Sequence, residues 1–367
     1  MITGLLFMVC LGFPDGVSEL EAVMPSLLKK HKVPGTAIVM LKGGATVWSG
    51  YYGERQKGQP VTSDTLFNTG SITKTVTAET ILRLVAAGKI SLDEPIADLY
   101  MHPHLKDDPR NRLLTPRIIL SHQTGLLNWE YNYPNQRLAF VHQPGTRFTY
   151  SGIAYEMLAK FAEEKTGKDF NQLVKEVVFE PLGIMEAYVS RQPGLEKVLA
   201  HPMDSDGNWM HPFTYTFTDI EKPIGRWSAA DDLYIKAEDY ARFLIKVWKG
   251  ADFPEGLKQD RFRITQPADT EETWRCRSPK ADCPKSYGYG LGWTIFHFPG
   301  QTLVQHGGSD MGEQAQAYIN LKTGDGLVIF TNGGNGYNIY LDVMDLLDKQ
   351  QKLTRFFRPI FAYNLKK

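Results

Sequence analysis

The sequence predicts an α/β (α+β) fold in which an antiparallel sheet is flanked by helices and a mostly helical domain is inserted. Three observations support this prediction. Two β-rich runs, residues 36–42 and 46–52, lie near the amino terminus and are joined by Gly43-Gly44, which is typical of a hairpin. Residues 92–284 have mostly helical periodicity with long polar loops. Short β-rich runs separated by glycine-containing turns then return, at residues 293–298, 302–306, 314–321 and 326–331.

Strands at both ends of the chain with helices between them indicate one discontinuous domain that holds an inserted one. We therefore assign residues 17–62 and 286–367 to an α/β domain. Residues 63–285 are assigned to a mostly helical domain, with the candidate site at the junction of the two. Residues 1–16 hold an apolar run that resembles the core of a signal peptide and is too short to span a bilayer. They are interpreted as a signal remnant, with an uncleaved anchor or a buried amino-terminal segment as the alternatives.

Helices are predicted where apolar residues recur at helical spacing between start and stop signals. Ala78, Ile81, Leu82 and Val85 form one such face, and Gly88 ends that helix. Thr115 followed by Pro116 is a cap and first-turn pair. Further helices are predicted at residues 18–30, 116–120, 151–166, 170–178, 237–248 and 339–353. Residues 191–235 and 251–285 lack clear periodicity and are interpreted as mostly loops.

The charge balance excludes some partners. Lys and Arg total 41 and Asp and Glu total 41, with no basic block, so we expect no nucleic-acid partner.

No stretch is apolar enough to form a transmembrane span. Export to the periplasm is expected from the apolar start of the chain, with a cytoplasmic location as the alternative. Cys276 and Cys283 are either bonded to each other or two free thiols.

The sequence Ser71-Ile72-Thr73-Lys74 begins the helix that carries Ala78. We expect Ser71 in the first turn, where unpaired N–H groups stabilise negative charge. Lys74 lies three residues on, so its amine is on the same side as the Ser71 hydroxyl. A serine hydroxyl needs a nearby base to become a nucleophile, and a lysine held out of water can relay the proton. The alternative reading is an N-cap serine followed by a surface lysine.

Two other stretches fit a nucleophilic Ser71. Tyr150-Ser151-Gly152 stands at the start of a helix, and a phenol near an ammonium can act as a general base. Gln305-His306-Gly307-Gly308-Ser309 ends a β-rich run, and its two glycines would let a substrate lie against the strand.

These three stretches, in this order, resemble the motifs of the serine β-lactamase-like and penicillin-binding family, and of its class C β-lactamases and related esterases in particular. Further short stretches carry the resemblance, which covers roughly residues 20 to 350. They are Thr65-Leu66-Phe67, Gly88-Lys89-Ile90-Ser91-Leu92-Asp93, Leu120-Ser121-His122-Gln123-Thr124-Gly125-Leu126, Pro181-Leu182-Gly183 and Tyr287-Gly288-Tyr289-Gly290-Leu291-Gly292-Trp293. The resemblance implies a β-lactamase/transpeptidase-like fold.

The resemblance also implies roles. By this resemblance, Ser71 is the nucleophile that becomes acylated. Lys74 and Tyr150 share the proton transfers, and Tyr150 is the phenolate that takes the Ser71 proton. The backbone N–H groups of Ser71 and Ser309 form the oxyanion hole. His306 is expected to contact the substrate, to orient it or to act in catalysis; the alternative is that it only caps the strand or bonds to backbone.

The sequence departs from the family pattern at two positions whose side chains usually bind substrate. Gly152 stands where the second motif usually has Asn, and His306 stands where the third motif of β-lactamases usually has Lys. Together with Gly307 and Gly308, these positions are expected to contact substrate. A literal Lys322-Thr323-Gly324 is interpreted as a hairpin turn.

These observations predict a serine hydrolase, with carboxylic esters of short acyl chains as the favoured substrates. The alternatives are a penicillin-binding D-peptidase or D-amino-acid amidase, a weak class C-like β-lactamase, and a catalytically inactive binding protein. The partner is thus a small ester, amide or β-lactam.

No cofactor is expected. No metal is expected either, because His102-Pro103-His104 lacks the rest of a zinc motif. If a charged His306 holds anionic substrates, their turnover should fall as the pH rises through about 6.5.

Overall fold

The structure, a computed structural model, describes residues 14–215, 218, 220–250, 252–268 and 274–364. The predicted signal remnant falls largely on residues 1–13, which lie outside the described residues, as does Cys10. None of the helices in the described ranges has both the length and the apolar character needed to cross a bilayer.

One large antiparallel sheet organises the described part of the chain. The strands are β1 (Gly35–Lys42), β2 (Ala45–Gln56), β3 (Gln59–Pro60), β4 (Phe67–Asn68), β5 (Tyr234–Ile235), β6 (Gln266–Pro267), β7 (Ser286–Tyr289), β8 (Thr294–Phe298), β9 (Gln301–Asp310), β10 (Glu313–Asn320) and β11 (Gly326–Thr331). Nine of them pair in the order β3-β2-β1-β11-β10-β9-β8-β7-β6, and β4 pairs with β5. The amino-terminal hairpin therefore joins the carboxy-terminal meander through β1 and β11.

The helices cover both faces of this sheet. They are α1 (Val17–His31), α2 (Thr73–Ala86), α3 (Pro116–Leu120), α4 (Gly152–Thr166), α5 (Phe170–Val174), α6 (Ala237–Lys249), α7 (Glu255–Arg261), α8 (Gly336–Leu347) and α9 (Lys352–Asn364). Leu327 and Ile329 of β11 pack with α1, α8 and α9, whereas Val328 and Phe330 pack with the α2–α6 side. Because β11 is buried on both faces, its sequence is a continuous apolar run rather than an alternating one.

The predicted fold class, hairpin, meander and helices are confirmed. Three elements differ. The predicted closing helix is two helices, α8 and α9, and α7 lies in a stretch interpreted as loop. β6 extends the sheet from within residues 63–285 by pairing with β7. The division into domains at residues 62/63 and 285/286 stays a prediction.

Two smaller features are decided by the structure. Cys276 and Cys283 form a disulfide. Residues 322–324 lie in the turn between β10 and β11, where Gly324 has a φ of 74°. This agrees with the interpretation of Lys322-Thr323-Gly324 as a turn.

Candidate active site

Ser71 lies between β4 and α2. The preceding backbone is bent sharply, because Gly70 has a φ of 51° and donates its N–H to the side chain of Asn68 at 3.1 Å. Ser71 stands two residues before Thr73, the first residue of α2, so the expectation that it lies within the first turn is wrong. It still stands at the end of the helix where backbone N–H groups lack intrahelical partners.

Lys74 is in contact with Ser71. Its side chain is fully buried, and Nζ donates to Ser71 Oγ at 3.0 Å and to the carbonyl of Ala230 at 2.9 Å. A buried amine is costly unless its hydrogen bonds are satisfied, so these two contacts hold Nζ against the serine hydroxyl. The tertiary contact with Ala230 has no signal in the sequence, because the two residues are 156 positions apart.

Tyr150 lies beside this pair but presents its ring rather than its hydroxyl. Lys74 Nζ stands 4.8 Å from the centre of the Tyr150 ring, a distance suited to a cation–π contact. Within the described residues, no hydrogen bond joins the phenol to Ser71 or Lys74. The three predicted residues thus share one site, with the amine touching the serine and the phenol adjacent.

His122 positions Tyr150, a role that the sequence reasoning missed. The two rings lie 4.2 Å apart, and His122 Nδ1 accepts the N–H of Ser151 at 3.1 Å. Burial, and then the nearby charge of Lys74, holds the pKa of His122 well below its usual value, so the ring is neutral. The sequence signal for this contact was the stretch from Leu120 to Leu126, which the sequence analysis used only as part of the family resemblance.

Glu156 of α4 supports the other side of the site. It accepts hydrogen bonds from the hydroxyl of Ser228 at 2.6 Å and from the N–H of Ala229 at 3.0 Å. These bonds anchor the segment whose next carbonyl, Ala230, receives Lys74. Burial raises the pKa of Glu156 to about 7. The sequence held no motif for this contact.

The backbone of β9 lies directly against the nucleophile segment. A Cβ built on Gly308 would stand 1.8 Å from the carbonyl oxygen of Thr69 and 3.1 Å from Ser71 N. A Cβ on Gly70 would stand 3.1 Å from Ser309 N. The N–H groups of Ser71 and Ser309 therefore come from adjoining backbone, an arrangement that could bind an oxyanion. The absence of a side chain at Gly308 makes room for Thr69, and the contact of Gly308 with substrate stays a prediction.

Gly307 lies on the opposite side of β9 from Gly308. A Cβ there would stand 3.0 Å from the side-chain oxygen of Gln316, which is bonded to Gln305. This side of the strand faces the buried glutamine pair, and the contact of Gly307 with substrate stays a prediction.

His306 is buried and hydrogen-bonded, as in the alternative that it only bonds to backbone, and its contact with substrate stays a prediction. The side chain is 4% exposed, and both ring nitrogens are used, with the Tyr289 hydroxyl at 2.7 Å and the Gly307 carbonyl at 2.7 Å. A carbonyl only accepts, so Nδ1 carries the proton and Nε2 accepts from Tyr289. Burial, with a further contribution from Lys74, lowers the pKa of His306 to about 3. A neutral, bonded imidazole offers neither charge nor a free donor.

Gly152 lies against the ring of Trp129. A Cβ built there would stand 2.5 Å from the ring of Trp129, and the Gly152 N–H is donated to the side chain of Asn128 at 2.8 Å. The indole occupies the space that a side chain at residue 152 would need. Gly152 thus makes a packing contact with Trp129, and its contact with substrate stays a prediction.

His102 and His104 lie together with Glu130, a third potential ligand that the sequence reasoning missed. Glu130 Oε1 is 3.5 Å from His102 Nε2 and 3.6 Å from His104 Nδ1. However, His102 Nδ1 accepts the N–H of His104, and His104 Nδ1 accepts the N–H of Leu138. These bonds use ring lone pairs that a metal ion would need, and they favour a hydrogen-bonded cluster that holds the loop before Tyr133.

Comparisons with known proteins show what this chain is similar to. A sequence profile described as Beta-lactamase matches residues 20–342. The chain is 26% identical over 346 residues to a penicillin-binding protein 4 from Amycolatopsis lactamdurans, covering 87% of this chain and 86% of that protein. It is 28% identical over 207 residues to esterase EstB from Burkholderia gladioli, covering 48% of this chain and 52% of that protein.

Solved structures show the same fold. The octameric penicillin-binding protein homologue from Pyrococcus abyssi superposes with a TM-score of 0.72 at 23% sequence identity. The superposition covers 91% of this chain and 78% of that one. At this identity the likeness establishes the architecture and nothing about the reaction.

Proposed function

The chain belongs to the Beta-lactamase family, and from that premise we propose that it is a carboxylesterase that cleaves short-chain esters through an acyl-enzyme on Ser71. Family relatives are serine hydrolases with esterase, β-lactamase and peptidase names. The observation that carries the proposal is the 3.0 Å contact between Lys74 Nζ and Ser71 Oγ beside the backbone of Ser309.

In the proposed reaction, Ser71 Oγ forms a bond to the ester carbonyl carbon while its proton passes to the pair of Lys74 and Tyr150. The N–H groups of Ser71 and Ser309 stabilise the oxyanion. As the oxyanion collapses, the carbon–oxygen bond to the alcohol breaks and the alcohol leaves with the proton. Water then attacks the acyl-enzyme, gives its proton to the same pair, and releases the acid and the Ser71 hydroxyl.

The role of Tyr150 in this scheme requires a closer approach than the substrate-free site has. Hydrogen bonds between catalytic groups are often long without substrate and tighten in the Michaelis complex. The ring of Tyr150 already lies against Lys74 Nζ, where it also stabilises an ammonium once the proton has moved.

Esters are favoured over β-lactams because both anchors for larger, charged substrates are lacking. The position of the amide anchor is Gly152, covered by Trp129, and the position of the cationic anchor is the neutral His306. A small ester needs neither. The similarity to a penicillin-binding protein over most of the chain supports the second candidate, a D-peptidase or weak β-lactamase.

The test compares wild type with Ser71→Ala, and with Ser26→Ala on the exposed side of α1 as the matched control. A chromogenic short-chain ester should be hydrolysed by wild type and Ser26→Ala and not by Ser71→Ala. Wild-type turnover no faster than Ser71→Ala would remove the esterase proposal.

Two covalent probes separate the other candidates. A labelled penicillin that forms a stable adduct or is turned over at Ser71 supports the D-peptidase or β-lactamase. A fluorophosphonate that labels Ser71 argues against an inactive binding protein.

We also propose an exported location. The disulfide between Cys276 and Cys283 supports it, because disulfides persist mainly in oxidising compartments.

A further inference from the structure

β9 extends beyond β8 at the end of the strand that meets the nucleophile segment. β8 begins at Thr294, which pairs with Gln305, so residues 306–310 of β9 continue past it. On their other edge the same residues remain paired with β10. The backbone groups that residues 306–310 direct toward the β8 edge are therefore available to the active site.

The hydrogen-bond pattern of β9 shows which groups these are. In an antiparallel pair, one residue directs both its N–H and its C=O to one neighbour, and the next residue directs both to the other side. Leu321, which follows β10, donates its N–H to the carbonyl of Thr302. Thr302 and every second residue after it therefore bond to β10, whereas Gly307 and Ser309 face the β8 edge. This agrees with the 3.1 Å between Ser309 N and a Cβ built on Gly70.

The carbonyl of Gly307 lies next to the proposed oxyanion donor. It is two residues before Ser309 on the same edge, so its partially negative oxygen is close to the place where the oxyanion forms. A bare carbonyl there would oppose negative charge, for the same electrostatic reason that N–H groups favour it. His306 Nδ1 donates to this carbonyl at 2.7 Å, which offsets its partial charge and fixes the orientation of the peptide group.

Tyr289 holds His306 in the tautomer that this bond requires. Its hydroxyl, on β7, lies 2.7 Å from His306 Nε2, and both side chains are buried. The hydrogen bond made by one nitrogen of an imidazole sets the protonation of the other. Because Nε2 accepts from the hydroxyl, the proton stays on Nδ1 and faces the Gly307 carbonyl. The hydroxyl, the imidazole and the carbonyl thus form one chain, in which each hydrogen bond polarises the next.

We propose that His306, oriented by Tyr289, is a positioning residue for the oxyanion hole at Ser309. It acts through the Gly307 carbonyl, and this role requires no contact with the reacting atoms. The inference rests on the proposed function, because it assumes that Ser71 attacks an ester carbonyl and generates an oxyanion.

The test measures how well the oxyanion is stabilised. Ser71 adds to the carbonyl carbon of an alkyl trifluoromethyl ketone and gives a tetrahedral hemiketal, whose oxyanion occupies the hole while the serine proton passes to the pair of Lys74 and Tyr150. The matching secondary alcohol cannot form this adduct and reports ground-state binding. The inhibition constants of both compounds are measured, together with kcat and KM for a chromogenic short-chain ester.

Two substitutions of His306 separate the donor from the bulk of the ring. His306→Leu removes the donor, and His306→Asn places an amide N–H where Nδ1–H stands. We expect His306→Leu to raise the inhibition constant of the ketone and to lower kcat, each by roughly tenfold, the effect of one hydrogen bond, with little change for the alcohol. His306→Asn should retain most of the wild-type values.

Tyr289→Phe is an independent variant, because it keeps the ring and removes the hydroxyl that orients His306. It should change the same two quantities in the same direction by a smaller factor, and it gives the readout if His306→Leu does not fold. His297→Leu is the matched control. It removes a histidine at the far end of the β8–β9 hairpin, where the ring contacts Thr302, and should keep the wild-type values.

The outcomes separate this role from the proposed function. A wild-type inhibition constant for the ketone in folded His306→Leu and Tyr289→Phe overturns the positioning role and leaves the esterase intact. Equal losses in His306→Leu and His306→Asn also overturn it, because the donor is then not responsible. Absence of ester turnover above the Ser71→Ala background overturns the esterase itself, and with it the positioning role.

Discussion

The ring of Trp129 lies directly over Gly152, so that a Cβ on residue 152 would stand 2.5 Å from the indole. The same indole lies 5.9 Å from Lys74 Nζ, measured to the ring centre. A glycine at the first position of α4 therefore lets an aromatic residue lie over the Lys74 amine. This pairing replaces the polar side chain that the family's second motif usually supplies.

Gly152→Ala should lower the free energy of unfolding by about 1–3 kcal/mol, because the added methyl group overlaps the Trp129 ring. Adding Trp129→Ala should relieve that overlap, so the double variant should lose less than the sum of the two single losses. Urea unfolding of the four proteins measures this. Gly256→Ala, in α7 with no neighbour within 4 Å, is the control. Strictly additive losses would contradict the contact.

Gly308→Ala should reduce kcat for ester hydrolysis by about 10²–10³, the effect of losing one oxyanion donor. The new Cβ cannot stand 1.8 Å from the Thr69 carbonyl, so β9 must move and take Ser309 N away from Ser71. The nearest neighbours of a Cβ on Gly307 are the ends of two side chains, Gln316 at 3.0 Å and Gln305 at 3.4 Å, so Gly307→Ala should lose much less. Equal losses in the two variants, with both folded by circular dichroism, would count against the oxyanion hole.

Tyr150→Phe should lower kcat by about 10²–10⁴ while the protein stays folded, because it removes a general base and keeps the ring against Lys74. Steady-state kinetics with a chromogenic ester gives the value. Tyr188→Phe, elsewhere in the chain, controls for loss of a tyrosine hydroxyl. Full activity in Tyr150→Phe would assign all proton transfer to Lys74.

The relative turnover of anionic and neutral esters should not depend on the charge of His306. Burial lowers the pKa of His306 to about 3, so the ring stays neutral throughout the working range and its protonation cannot attract an anion. The ratio of kcat/KM for a matched anionic and neutral ester should be flat from about pH 5 to 8. A fall in this ratio around pH 6.5 that is lost in His306→Gln would restore the charged role.

Glu156 should make the protein less stable as the pH rises from 4.5 to about 7. Burial raises the pKa of Glu156 to about 7 from the value of 4.5 of an exposed carboxyl, so the native state binds more protons than the unfolded state in this window. The free energy of unfolding therefore falls with rising pH. Glu156→Gln should lack this contribution, whereas Glu164→Gln, exposed on the same helix, should retain it. Identical slopes in urea unfolding of wild type and Glu156→Gln would refute this assignment.

Local patterns determined much of the architecture. The Gly43-Gly44 hairpin, the cap at Thr115-Pro116 and the helix that follows Tyr150 depend on neighbouring residues, and the structure has all three. The break between α8 and α9 was missed because the turn at residues 348–351, Asp-Lys-Gln-Gln, contains neither Gly nor Pro as a stop signal. β6 was missed because two residues carry no periodicity, and only pairing with β7 makes them a strand.

The sequence by itself was enough to identify Ser71, Lys74 and Tyr150 as candidate site residues. Their motifs and the order of those motifs are visible in the sequence without any knowledge of the fold. Only the tertiary structure decided what surrounds them: the Ala230 carbonyl on Lys74, Trp129 over Gly152, and the neutral His306. The physical reason is that burial and hydrogen-bond partners determine the charge of a side chain and whether substrate can reach it. Those depend on segments that lie far apart in the chain and meet only after folding.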